Sequence, residues 1–179
     1  MRRMIVRPAT KEDLAAIVGI EAEAILNGDA HFGYEPTPIE DAMRSFLAAE
    51  GRYPWIVAED CESVVGFARC GAWRAREAYS WSCEVGVYVT PERQGQGIGA
   101  ALYREMFPAM EKMGNRTVIA GIAQPNPASV RLHEAFGMTY AGTLPRVGWK
   151  HGRWIDVGYW VRSFGPMSQP PEPRHRPPG

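Results

Sequence analysis

Gln94-Gly95-Gln96-Gly97-Ile98-Gly99 decides the reading of this 179-residue chain. Before it, Glu84-Val85-Gly86-Val87-Tyr88-Val89 sets apolar and β-branched residues at alternating positions, which predicts a strand. After it, Ala100-Ala101-Leu102-Tyr103-Arg104-Glu105-Met106 combines helix formers with apolar residues at helical spacing. Three glycines at a strand-to-helix turn let backbone N–H groups approach an anion without a Cβ in the way. The helix they open adds its own unpaired N–H groups and the positive end of its dipole. The turn therefore reads as a cradle for a phosphate-bearing ligand. A dinucleotide fingerprint is excluded, because position 100 is alanine and no strand with a ribose-binding acid follows. The lysine of a Walker loop is also missing.

The length suits one domain with its own core. Lys+Arg and Asp+Glu balance at 20 each, which gives no support for a nucleic-acid partner or an acidic membrane. No apolar stretch approaches the roughly 20 residues of a membrane helix. The start, Met1-Arg2-Arg3-Met4-Ile5-Val6-Arg7-Pro8, lacks the apolar core of a signal peptide and reads as a first strand ending at Pro8. Cys61, Cys70 and Cys83 form no CxxC pair and are odd in number. That argues against a disulfide framework or a structural zinc and fits a reducing cytoplasm.

The elements follow from periodicity and punctuation. Thr10-Lys11-Glu12-Asp13 resembles a capping box, and Leu14, Ile17, Val18 and Ile25 give the helix it opens an apolar face. Asn27-Gly28-Asp29 ends that helix, a loop follows, and a second helix runs from near Pro38 to about Ala49. Strands are expected at 55–60 and 64–72, then the strand to Val89, the glycine turn and a helix to about Met113. A strand at 117–122, a helix at 128–136 closed by Gly137, and strands at 139–148 and 154–161 complete the pattern. Residues 1–164 make one domain on this reading, and the proline-rich tail at 165–179 is expected to be disordered or polyproline-like. Taken singly, Glu84 reads as a strand-edge charge, Asn126 as a residue of a proline-flanked turn, and His133 as a half-buried helix histidine. Arg74 and Arg76 read as a solvated turn, and the nearby aromatics as core.

Two motifs resemble the GNAT superfamily of acetyl-CoA-dependent N-acyltransferases. Gln94-x-x-Gly97-x-Gly99 is similar to its pyrophosphate-binding turn. Asn126-Pro127-Ala128-Ser129-Val130-Arg131-Leu132-His133-Glu134-Ala135-Phe136-Gly137 is similar to its second cofactor motif. Four further stretches resemble phosphinothricin N-acetyltransferases: Arg52-Tyr53-Pro54-Trp55-Ile56-Val57-Ala58-Glu59, Trp73-Arg74-Ala75-Arg76, Ser129-Val130-Arg131-Leu132-His133-Glu134 and Lys150-His151-Gly152-x-Trp154-x-Asp156-Val157-Gly158.

The resemblance implies a single α/β (α+β) domain with a mixed, mostly antiparallel sheet splayed near Val89 and Ile122 and flanked by helices. It implies acetyl-CoA as cosubstrate, no metal, and acetylation of the α-amine of a small amino acid or analogue. Glu84 is then the base, assisted by His133. The donor falls to Val87, Tyr88, Val89, Gln94, Gly95, Gln96, Gly97, Ile98, Gly99 and Asn126. The acceptor falls to Phe32, Arg74, Arg76, Tyr79 and Tyr88, the arginines supplying planar forks for a carboxylate or phosphinate. A homodimer is implied by the resemblance alone. Two other readings stay open at this point: an acetyltransferase for a polyamine, an antibiotic or a protein N-terminus, and a non-catalytic acyl-CoA sensor.

Overall fold

The computed structural model describes residues 4–167. Among them, seven strands form one sheet in the order β1-β2-β3-β4-β5-β7-β6. Their bounds are β1 Ile5–Pro8, β2 Trp55–Asp60, β3 Ser63–Ala72, β4 Ser82–Val89, β5 Thr117–Ala123, β6 Thr139–Lys150 and β7 Arg153–Ser163. The helices are α1 Leu14–Asn27, α2 Ile39–Ala49, α3 Ile98–Lys112 and α4 Pro127–Ala135. Every neighbouring pair of strands is antiparallel except β4 and β5. The proline-rich stretch expected from 165 onward falls largely outside the described residues.

The expected elements are present, with small corrections at the ends. The box at Thr10 opens a one-turn 3-10 helix, Lys11–Asp13, before α1 begins. There the Thr10 N–H donates to the Asp13 carboxylate at 2.7 Å, and Arg7 grips the same carboxylate at 2.7 and 2.8 Å. The final hairpin closes at His151 and Gly152, both with positive φ (48° and 73°), as a tight two-residue hairpin requires.

Side-chain alternation gives the sheet two covered faces. Leu102, Tyr103, Met106 and Met110 of α3 pack on Ile56, Ala68, Val85 and Val118. Val130, Leu132 and Phe136, on and just after α4, join that core. On the other face Leu14, Ile17 and Ile20 of α1 pack with Trp55, Val57 and Phe67. Each large apolar side chain so buried contributes roughly 1.5–3 kcal/mol. This packing fixes α3, and with it the glycine turn at its start.

Candidate active site

The ladder between β4 and β5 is short. It holds Ser82 to Thr117, Cys83 to Val118 and Glu84 to Ile119, and then the strands part. Hydrogen bonds from Trp73 N–H to the Ser82 carbonyl and from Thr90 N–H to the Val65 carbonyl show that even-numbered β4 residues bond to β3. The odd residues Val85, Val87 and Val89 therefore turn their N–H and C=O groups toward β5, where the ladder has ended. The gap opens at the carboxyl ends of two parallel strands, and each strand leads into a helix N-terminus. Crevices of this kind are where open α/β sheets bind ligands.

The glycine turn forms one wall of the gap. Gly95 and Gly97 have φ of +73° and +81°, conformations that a side chain disfavours, and Gly97 is the N-cap of α3. Ile98 is buried in the core beneath the helix, so it offers only its backbone. Gly99 serves packing instead. A Cβ there would lie 3.0 Å from Leu132 Cδ2, so its absence lets α3 and α4 approach closely. The side chains of Gln94 and Gln96 hold the turn itself. Gln94 Nε2 donates to the Val89 carbonyl at 3.1 Å, and Gln96 Nε2 donates to the Glu92 carbonyl at 3.0 Å. The cradle is thus preformed, and the donors left for an anion are backbone N–H groups of the first helical turn.

The opposite wall is the start of α4. Asn126 is its N-cap, with Oδ1 accepting from Ser129 N–H at 3.1 Å. His133, further along the helix, is only 3% exposed. Its Nδ1 lies 2.7 Å from the Ser129 carbonyl and its Nε2 2.9 Å from the Tyr103 hydroxyl. A carbonyl only accepts, so Nδ1 carries the proton and Nε2 accepts from Tyr103. Burial lowers the His133 pKa and keeps the ring neutral, with the Ser129 hydrogen bond opposing. Both ring nitrogens are therefore engaged inside the fold.

Two cavities meet at the gap. One of about 880 Å³ lies on the α1–α2 face and is lined by Phe32, Arg74, Arg76, Glu84, Tyr88 and Gly121 among others. A smaller one of about 50 Å³ is lined by Val85, Val87, Tyr88, Asn126, Ser129 and His133. Val85, Gly86, Tyr88 and Gly121 line both, so the splay is a window through the sheet. Glu84 stands at the last rung beside that window. Its Oε1 is 3.5 Å from where a Cβ on Gly121 would be, so glycine there leaves the carboxylate its space. Solvent reaches Glu84 through the open cavity, yet the flanking walls desolvate it and raise its pKa, with Arg74 opposing. Arg74 lies over the Trp73 ring at 4.3 Å, which holds the guanidinium at the cavity mouth. Tyr88 stacks on Phe67 with ring centroids 5.2 Å apart, and its burial pushes its pKa up to about 12.

The expected acceptor set is corrected at one position. Tyr79, exposed on the one-turn helix Glu77–Tyr79, does not line the cavity. One polar group that does line it was not anticipated. Arg69 of β3 is ion-paired with the carboxylate of Glu21, which is 1% exposed and also accepts from Thr37 Oγ1 at 2.7 Å. His31 Nε2 faces the same carboxylate at 3.5 Å. Glu21 sits on the apolar stripe of α1 with Leu14, Ile17 and Ile25, so a charge in that register was the available signal.

Residues 21–138 match the Acetyltransferase (GNAT) family. The chain belongs to that family. A phosphinothricin N-acetyltransferase of Streptomyces viridochromogenes is 42% identical over 172 residues, covering 96% of this chain and 93% of the relative. An L-methionine sulfoximine/L-methionine sulfone acetyltransferase of Salmonella typhimurium is 34% identical, covering 87% of this chain and 92% of the relative. Among solved structures, a GNAT superfamily phosphinothricin acetyltransferase from Sinorhizobium meliloti in complex with AcCoA superposes with a TM-score of 0.88. It is 36% identical, and the match covers 94% of this chain and 92% of that one. This GNAT protein is accordingly an acyltransferase with acetyl-CoA as its donor. The window in the sheet, the preformed glycine cradle and the start of α4 are the parts of this GNAT chain that suit such a donor.

Proposed function

We propose that this enzyme acetylates the α-amino group of a small amino acid or analogue of the phosphinothricin or methionine sulfoximine type. One observation carries the reading: a carboxylate, Glu84, only partly desolvated by the cavity walls, stands at the window joining an arginine-lined cavity to the donor gap. In this reading the N–H groups at the start of α3 take the pyrophosphate, and Val87 and Val89 take the pantetheine amides along β4. Asn126 lies beside that arm. Arg74 and Arg76 receive the acceptor's anionic group, with Tyr88 and Phe32 bounding its side chain.

The acceptor arrives as an ammonium. Glu84, directly or through a water, takes one of its protons, and the freed nitrogen attacks the thioester carbonyl. The C–N bond forms, the C–S bond breaks, and the departing thiolate takes up the second proton that the nitrogen gives up as it becomes the amide. The raised pKa of Glu84 makes it a stronger proton acceptor than an ordinary carboxylate. His133, with both nitrogens committed, serves as a positioning residue that locks the first turns of α4. Arginines on the cavity wall favour an acidic small acceptor over a polyamine.

A homodimer is supported by the exposed aromatics Tyr140, Trp149 and Trp154 on the last two strands. A cytoplasmic location is supported by Cys61, Cys70 and Cys83, which form no disulfide among the described residues. Among the described residues no helix is long and apolar enough to cross a membrane. The test is a panel of amino acids and analogues incubated with acetyl-CoA, followed by release of free CoA. Turnover confined to phosphinothricin, methionine sulfoximine, methionine sulfone and similar small amino acids supports the proposal, whereas preferred turnover of polyamines or peptides overturns it.

A further inference from the structure

The wall that closes the acceptor cavity on the α1–α2 face comes from residues 28–38, a segment with no helix or strand of its own. Such a loop positions a side chain only as well as it is itself held. Here it is held by the β6–β7 hairpin, more than 110 residues away in sequence. Lys150 is 3% exposed, and its Nζ donates to the carbonyls of Ile25 at 2.6 Å and Gly28 at 2.8 Å and to that of His31. An ammonium has three N–H donors, and these three carbonyls take all of them. Two of these acceptors close the end of α1, whose last turn contains no basic residue of its own. A cation there satisfies orphan carbonyls and the negative end of the helix dipole.

The rest of the hairpin repeats the grip. The Tyr34 hydroxyl donates to the Trp149 carbonyl, Arg153 pairs with Asp29, and His151 Nδ1 lies 3.1 Å from Asp29 Oδ1. Between these contacts lies Phe32, with its ring flat against Gly148. A Cβ on Gly148 would meet Cε2, Cζ and Cδ2 of that ring, 2.6 Å from Cζ and 2.9 Å from Cδ2. Gly148 pairs with Ile155 where the ladder resumes after a register irregularity, and it is not among the glycines with positive φ, so its backbone does not itself require glycine. What requires glycine is the phenyl ring.

We infer that the β6–β7 hairpin sets the size of the acceptor cavity, with Gly148 as the seat of the Phe32 wall and Lys150 as the positioning residue that pins its loop. A side chain at 148 drives the ring off the strand and into the cavity, and loss of the ammonium frees the loop that carries the ring. The inference deepens the proposed acetyl transfer to a small amino acid and rests on it for its kinetic readout.

The experiment is a double-mutant cycle on the full chain, read as acceptor kcat/KM and acetyl-CoA KM. Gly148→Ala should lower acceptor kcat/KM at least tenfold and leave acetyl-CoA KM within twofold. In a Phe32→Ala background the same change should alter kcat/KM less than twofold. An equal loss in both backgrounds, or no loss with Phe32 present, overturns the seat. For the clamp, Lys150→Met should raise acceptor KM with little change in acetyl-CoA KM, and should speed chymotryptic cleavage after Phe32 and Tyr34 at least tenfold. Wild-type cleavage rates in that variant overturn the clamp. The proteolysis needs no acceptor, so it separates failure of the clamp from failure of the proposed reaction. If Lys150→Met does not fold, the Gly148–Phe32 cycle decides alone.

Discussion

Replacing Tyr103 by Phe removes one hydroxyl from the middle of the protein and tests what His133 does. Tyr103 is 0% exposed and His133 3%, so no solvent can replace the lost donor. The His133 Nε2 lone pair, now 2.9 Å from the Tyr103 oxygen, is left buried without a partner. Stranding a buried acceptor costs about 1–3 kcal/mol. For a chain of this size that is a fall in Tm of roughly 2–12 °C at about 2–4 °C per kcal/mol. The packing of Tyr103 against Phe107 and Phe136, with centroids 5.1 and 5.5 Å away, survives in phenylalanine, so the loss reports the hydrogen bond alone.

Thermal denaturation followed with and without acetyl-CoA measures this loss, and kcat is then taken well below the new Tm. If His133 only positions α4, kcat should stay within about threefold, because the proposed general-base step falls to Glu84. A drop of the size expected for losing a proton-transfer group, about 100-fold or more, together with an unchanged Tm, would refute the positioning role. The acid side offers a second check. Because burial depresses the folded-state pKa of His133, the unfolded chain binds its proton first. Stability from this residue is therefore complete above about pH 6.5 and is lost as pH falls through the lower folded-state value.

Three other perturbations follow from the same geometry. Gly97→Ala forces a side chain into φ of +81° at the N-cap of α3, a cost of about 1–2 kcal/mol. It should raise acetyl-CoA KM more than acceptor KM in steady-state kinetics. Glu21→Ala leaves Arg69 without its carboxylate and should cost about 3 kcal/mol. That value is the low end of the usual range because the cavity keeps the Arg69 side chain 25% exposed, and denaturant unfolding measures it. Glu84→Gln should raise Tm at pH 8. The folded-state pKa of Glu84 is raised, so its stabilising contribution exists below the unfolded value near 4.5 and is lost as pH rises through the folded value. Ionised Glu84 is thus a burden on stability that a neutral amide relieves.

Local spacing is enough to read the strand, turn and helix around Gln94, because glycine φ and apolar period are properties of neighbours in sequence. The same holds for Asn126 as a turn residue ahead of α4, whereas the last hairpin turn is shorter than the link expected at 149–153, because β6 runs on to Lys150 and β7 starts at Arg153. Glu84, Arg74, Arg76 and Tyr88 are legible as cavity residues only through the resemblance, since a strand-edge acid and a basic turn look the same when solvated. Tyr79 departs from expectation: it is exposed at the end of a three-residue 3-10 helix and does not line the cavity as Arg74 and Arg76 do. Lys150 reads as a hairpin-loop cation, whereas its three acceptors lie 119 to 125 residues earlier. Nothing in local period carries a contact of that range. Glu21 is readable in principle, since a carboxylate on a buried helical stripe requires a partner. That partner, Arg69, comes from a strand 48 residues on.

Proton transfer from the acceptor amine to Glu84, beside the window in the sheet, is the step on which the proposed chemistry stands. The direct measurement is kcat as a function of pH for wild type and Glu84→Gln on the best acceptor of the panel, with acetyl-CoA Kd measured alongside. The wild-type rate should fall as pH drops through the raised pKa of Glu84. Glu84→Gln should have a kcat about 10²–10⁴-fold lower, without that acid limb, and an unchanged Kd. A Glu84→Gln enzyme within twofold of wild type, with the acid limb intact, would contradict the base role.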